Sequence, residues 1–163
     1  FMEPLESTSI HLVQSALARI MAMFPHKEFN QHEIDSYNEQ VGFEYEKIRD
    51  FLILHYKVTE RNDSAFWNYC REMEIPDSLQ KKIDVFKANG HVFRFNNELF
   101  NEISWVEVML GQRMVPQGYH PLVDVLPEEE FDRRMAQVKR VIDVAVDYMP
   151  SHAQFIAEHC AKE

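Results

Sequence analysis

The sequence predicts a mainly α-helical protein, and two observations carry that expectation. Apolar residues recur at three- and four-residue spacing over long stretches. Residues that start and stop helices stand where those stretches begin and end.

The first predicted helix begins near Thr8 or Ser9, with Ser7, Thr8 and Ser9 offering N-cap oxygens. Ile10, Val13, Leu17, Ile20, Met21 and Phe24 follow at helical spacing, and Pro25 ends the run. A longer helix is expected from about His32 to Tyr56, with Ile34, Tyr37, Val41, Tyr45, Ile48, Leu52 and Tyr56 as its apolar stripe. Gly42 interrupts it at a cost of about 1 kcal/mol relative to alanine. The polar run from Thr59 to Ser64 is a loop ending in a capping serine, before a short helix from Ala65 to Met73. Pro76-Asp77-Ser78 opens a helix with Leu79, Ile83 and Phe86 on one face, and Gly90 closes it.

From His91 to Val125 the pattern is irregular and aromatic-rich, with a short helix expected over about Ser104 to Leu110 and loops elsewhere. Pro127 sits at an N1-like position before Glu128, Glu129 and Glu130, where negative charge favours a helix start. That helix carries Phe131, Met135, Val138, Ile142, Ala145 and Met149, and Pro150-Ser151 begins a last short one. The basic residues Arg133, Arg134, Lys139 and Arg140 suit a solvated face with pairing along the helix. With no repeat or flexible linker in view, residues 1–163 read as one helical region.

The chain has 163 residues and a formal net charge of -10, which argues against a phosphate-backbone partner and against anionic membrane surfaces. No apolar run approaches the roughly 20 residues that span a bilayer. Cys70 and Cys160 are far apart in sequence and form no CxxC pair, and no basic-then-apolar leader is visible, so free thiols in a reducing, cytoplasmic compartment are expected. Phe1 is not a translation start, so the reading expects a fragment of a longer chain.

The opening segment concentrates chemistry. Glu6, Ser7, Thr8 and Ser9 put a carboxylate and three hydroxyls at a new helix N-terminus. The leading N–H groups of a helix lack intrahelical partners, and the dipole adds positive charge, so a small anion can bind there without lysine or arginine. The plain alternative is an ordinary capped helix start.

The segment Glu3-Pro4-Leu5-Glu6-Ser7-Thr8 resembles the Pro-Leu-Glu-Ser-Thr signature of the flavin-dependent tryptophan halogenases. The likeness continues through Ser9-Ile10-His11-Leu12, Arg49-Asp50-Phe51, His55-Tyr56, Ser64-Ala65-Phe66-Trp67, Ile75-Pro76-Asp77-Ser78 and Gly118-Tyr119-His120-Pro121-Leu122, in the family's order. The resemblance implies the helical C-terminal portion of an α+β enzyme whose nucleotide-binding module holds FAD. In that family reduced flavin and O2 turn a halide ion into hypohalous acid, which reaches a lysine and halogenates an aromatic ring. The implied partners are an aromatic, indole- or tryptophan-like substrate, a flavin reductase and the N-terminal FAD-binding part.

The resemblance also assigns roles. Glu6 would position the electrophile or take the ring proton, and Ser7 would link the flavin and substrate sites. The backbone N–H groups of Thr8 and Ser9 would bind the halide, and Ile10 would lie against the flavin. Family members often carry glycine where Ser9 stands, a change that keeps the backbone donor. The four glycines, Gly42, Gly90, Gly111 and Gly118, form no GxGxxG fingerprint. The family's Trp-x-Trp-x-Ile-Pro motif and its catalytic lysine are absent from these residues. The chain by itself is therefore expected to be inactive.

Phe93, Phe95, Phe100 and Trp105 lie where the family builds its substrate-pocket wall, with Phe100 and Trp105 as pocket candidates and core packing as the alternative. Glu98 and Glu102 are nearby for an amine-holding glutamate. The eight histidines show no tight metal-ligand spacing, so no metal is expected. Two other functions compete: a flavin-dependent monooxygenase of the same superfamily, and a non-catalytic helical interaction module.

Overall fold

A computed structural model describes residues 5–95 and 98–160. The chain divides into two compact units, residues 1–120 and residues 121–163. Among the described residues the secondary structure is helical, with no strand.

The first unit holds α1 (Thr8–Ala22), α2 (Gln31–Lys57), α3 (Ala65–Glu72), α4 (Asp77–Asn89) and α5 (Glu102–Gly111). The longest of these, α2, is the hub against which α1, α3, α4 and α5 all pack. Ser64 caps α3 as expected, its side chain accepting from Trp67 N–H, and Asn101 caps α5 by accepting from Ser104 N–H, so that helix starts two residues before the expected Ser104. Gly90 closes α4 at φ 70, a left-handed conformation that glycine adopts without Cβ strain, and its N–H donates to Phe86 O at 2.7 Å.

The main core is Phe51 and Leu54 of α2, Leu79, Ile83 and Phe86 of α4, and Trp105 and Met109 of α5. Full burial of side chains of this kind contributes about 1.5–3 kcal/mol each. A smaller cluster joins Leu12 of α1 to Ile48 and Leu52 of α2. Phe100 touches both clusters and stacks on Phe51 with ring centroids 3.9 Å apart. Cys70 is buried in this unit.

The apolar stripe of α1 points outward. Ile10, Val13, Leu17, Met21 and Phe24 are exposed, while Thr8 and Leu12 are the buried residues of that helix. Beside the buried Leu12, its inward face is polar and meets a charged residue of α2.

The second unit has a 3-10 turn (Pro121–Val125), α6 (Glu128–Tyr148) and α7 (His152–His159). The turn falls where a loop was expected. Pro127 is the N-cap of α6 rather than its first helical residue. Glu130 pairs with Arg133 and Arg134, and Lys139 with Asp143, on the solvated side of α6. A reciprocal capping box between Ser151 and Gln154 starts α7.

Candidate active site

The signature meets the fold at the start of α1. Phe1 to Pro4 lie outside the described residues. Ser7 is the N-cap, at φ 52 and ψ 28, and its N–H donates to Leu5 O at 2.6 Å, closing a tight turn around Glu6. The expected side-chain cap is not made by Ser7. The molecule supplies its own explanation: Asn30, Ser64, Asn101 and Ser151 all cap through their side chains, and all four have extended backbones. The left-handed backbone of Ser7 turns its hydroxyl out of that geometry. Such a conformation costs a non-glycine residue about 1–2 kcal/mol, and strain of this kind gathers at functional junctions.

Thr8 follows, 2% exposed, and its Oγ1 is buried without a hydrogen-bond partner. Buried hydroxyls are normally satisfied, so an unmatched one is unusual at this helix N-terminus. Ser9 is half-buried, and Ile10 presents an exposed apolar side chain on the first turn.

Glu6 faces α2. Its Oε1 lies 3.4 Å from Nε2 of His55, a largely buried side chain. Nδ1 of His55 is 2.8 Å from the carbonyl oxygen of Phe51. Beside this pair lies a cavity of about 410 Å³, bordered by Leu5, His55, Tyr56, Arg61, Trp67 and Gln112. The Arg61 guanidinium stands 4.5 Å from the centroid of the Trp67 ring, which stacks with Tyr56.

A buried carboxylate fixes α1 against α2. Glu44 accepts from Ser15 Oγ at 2.8 Å, contacts His11 Nε2 at 2.9 Å, and forms a close ion pair with Arg19. Burial works to raise the Glu44 carboxyl. Hydrogen bonds from Arg19, His11 and Ser15, with the Arg19 charge, outweigh it and hold the group below the ordinary carboxylate range. Three of the four members lie on α1, so Glu44 sets the rotation and depth of the helix that begins at Thr8.

Phe100 and Trp105 sit in the core. Trp105 is 1% exposed, its Nε1 has no hydrogen-bond partner, and Lys82 Nζ lies 4.0 Å from its ring centroid. Phe93 and Phe95 are exposed. With Trp105 they border a separate cavity of about 430 Å³, together with Lys47, Lys81 and His91. Both oxygens of Glu98 accept from Lys82, at 2.9 and 3.1 Å. Glu102 lies in the exposed first turn of α5.

Sequence reasoning gave no role to two residues that the fold brings close, Glu44 and His55, although His55 was part of the likeness quoted above. Glu44 stands three residues after Val41 and four before Ile48, a charge set into the apolar stripe of α2. His55 follows Leu52 by three on the same stripe. A polar residue on a buried helical face was the available signal.

The residues present suit one side of a flavin and not its nucleotide. Ile10 offers an exposed apolar surface beside a helix N-terminus. A strand–Gly-rich turn–helix cradle for the dinucleotide phosphates is not found among the described residues. Nor do three or more His, Cys, Asp or Glu side chains gather there in a metal-holding group.

The tryptophan halogenase family model matches residues 1–128. Tryptophan 7-halogenase KtzQ of Kutzneria sp. (strain 744) is 27% identical over 96% of this chain and 32% of its own length. Among solved structures, Xcc4156, a flavin-dependent halogenase from Xanthomonas campestris, is 42% identical with a TM-score of 0.92, covering 98% of this chain and 32% of that one. BrvH, a flavin-dependent halogenase from Brevundimonas sp. BAL3, is 40% identical with a TM-score of 0.91, over 97% and 32% of the two chains. The chain thus spans about a third of the length of the relatives it matches.

Proposed function

The chain belongs to the tryptophan halogenase family, and from that premise we propose that it supplies the carboxylate-and-halide side of a flavin-dependent halogenation site. The observation that carries the reading is the junction at Glu6, Ser7 and Thr8. A strained N-cap places a carboxylate outside the helix and a buried, unmatched hydroxyl at its first turn.

Bound reduced flavin would supply, with O2, the oxidising equivalent that converts chloride or bromide to an electrophile. In this chain the backbone N–H groups of Thr8 and Ser9 hold the halide at the positive end of α1. Ser7 separates that position from Glu6, and Ile10 covers the flavin side with hydrocarbon. When an aromatic carbon takes up the halogen, the Glu6 carboxylate removes the proton from the same carbon and the ring recovers its aromaticity. The nucleotide cradle, the lysine and the flavin reductase are supplied by other parts of the system. The outward stripe of α1 is an apolar surface suited to cover by the flavin-binding part.

The substrate class is an indole or a similar electron-rich aromatic. Glu98 is committed to Lys82, so recognition of a free amino group through it is not part of this reading. Free cysteines suit the reducing cytoplasm, where reduced flavin is generated.

The test uses the full-length protein with FAD, a flavin reductase and an indole. Glu6→Gln is expected to lower halogenation at least a hundredfold, the order expected for loss of a general base, with FAD binding intact. Unchanged turnover removes Glu6 from the mechanism.

A further inference from the structure

We propose that His55 is a positioning residue for Glu6 and receives its proton after each halogenation. The inference rests on the reading of Glu6 as the base. Nδ1 of His55 lies 2.8 Å from Phe51 O, and a carbonyl oxygen only accepts, so Nδ1 carries the hydrogen. The neutral ring then has its lone pair on Nε2, the atom that faces Glu6 Oε1 at 3.4 Å. Contacts of this kind tighten when a substrate closes the site.

The ring is also held in place. It meets Phe51 edge-on with centroids 4.8 Å apart, and Phe51 is itself buried against Phe100 and Trp105. His55 is 16% and Glu6 38% exposed at the side chain, so the pair spans the boundary between core and water. The other charged groups bordering the adjoining cavity are Glu60 and Arg61. Glu60 pairs with Arg113 and Arg61 with Asp63, so each already has a counter-charge.

The proton balance is simple. As the carbon–halogen bond forms, the electron pair of the old halogen bond leaves with its donor atom. The ring C–H pair returns to the ring, and its proton moves to Glu6. Glu6 passes that proton to the Nε2 lone pair of His55, regenerating the carboxylate, and the imidazolium releases it to water. The hydrogen on Nδ1 stays there and donates to Phe51 O throughout. Only the neutral ring of His55, with its lone pair on Nε2, accepts that proton.

The experiment compares wild type, His55→Gln and His55→Ala in the full-length protein with FAD, a flavin reductase and an indole. Glutamine keeps a donor toward Glu6 but cannot take a proton. His55→Gln is expected to lower kcat at least tenfold, leave KM for the indole within threefold, and change the shape of the pH profile of kcat. Added imidazole is expected to restore part of the rate of His55→Ala. Wild-type kcat with an unchanged pH profile in His55→Gln overturns the proposal. So does a loss that leaves the pH profile unchanged and is not rescued by imidazole. An inactive Glu6→Gln beside a fully active His55→Gln sinks this inference alone, whereas an active Glu6→Gln sinks the reading beneath it.

Discussion

The Lys82 ammonium and the Glu98 carboxylate meet at 2.9 Å with their side chains 10% and 1% exposed. Removing one member leaves a buried charge unmatched. Glu98→Gln or Lys82→Met is therefore expected to cost about 3–5 kcal/mol, whereas replacing both with apolar residues recovers most of the loss. Denaturant unfolding of the two single variants and the double variant checks this.

Glu44 gives a pH prediction with a definite sign. Its carboxyl is held low in the folded state, so the unfolded chain binds that proton more readily. The stabilisation is present above the ordinary glutamate value of about 4.3 and is lost as pH falls through the lower folded value. Glu44→Gln is expected to cost about 2 kcal/mol at neutral pH. The gap from wild type should close in acid, as urea denaturation from pH 7 down to pH ~3 would show.

Thr8 is a rare position where removing a polar atom stabilises the ligand-free protein. Thr8→Val keeps the shape and deletes an unmatched buried hydroxyl, so a gain of about 1 kcal/mol is expected in thermal unfolding. A loss of similar size would mean that the hydroxyl is satisfied in solution.

Ser7 separates strain from chemistry. Its positive φ suits glycine, so Ser7→Gly is expected to fold with stability unchanged or raised by up to about 1 kcal/mol. Ser7→Val, β-branched, is expected to lose about 1–2 kcal/mol. Equal melting temperatures for the two variants would contradict the left-handed assignment.

The helices were legible because periodicity and punctuation agree over long runs. Ser64, Pro76 and Gly90 sit at the ends of elements they were expected to bound, and Leu79, Ile83 and Phe86 form the buried face of α4. The facing of α1 was not legible. Its strongest apolar stripe points away from α2, because Glu44 draws His11, Ser15 and Arg19 inward. Spacing identifies a stripe but not what covers it.

The candidate site was legible only in part. Glu6 through Ile10 are contiguous, so a motif can display them. His55 reaches Glu6 from α2 across 49 residues of sequence, and Glu44 reaches His11, just past the motif, across 33, and only the fold brings them there. The left-handed backbone of Ser7 had no sequence signal either, since serine is an ordinary N-cap residue in an extended conformation.

Glu44 also bears on how such a protein would be altered in the laboratory. The start of α1 hangs from one carboxylate on a neighbouring helix, so the pose of the signature is adjustable from a distance. Directed evolution for a different halide preference should then enrich substitutions at positions 11, 15, 19 and 44, and mutant libraries confined to the signature would overlook them.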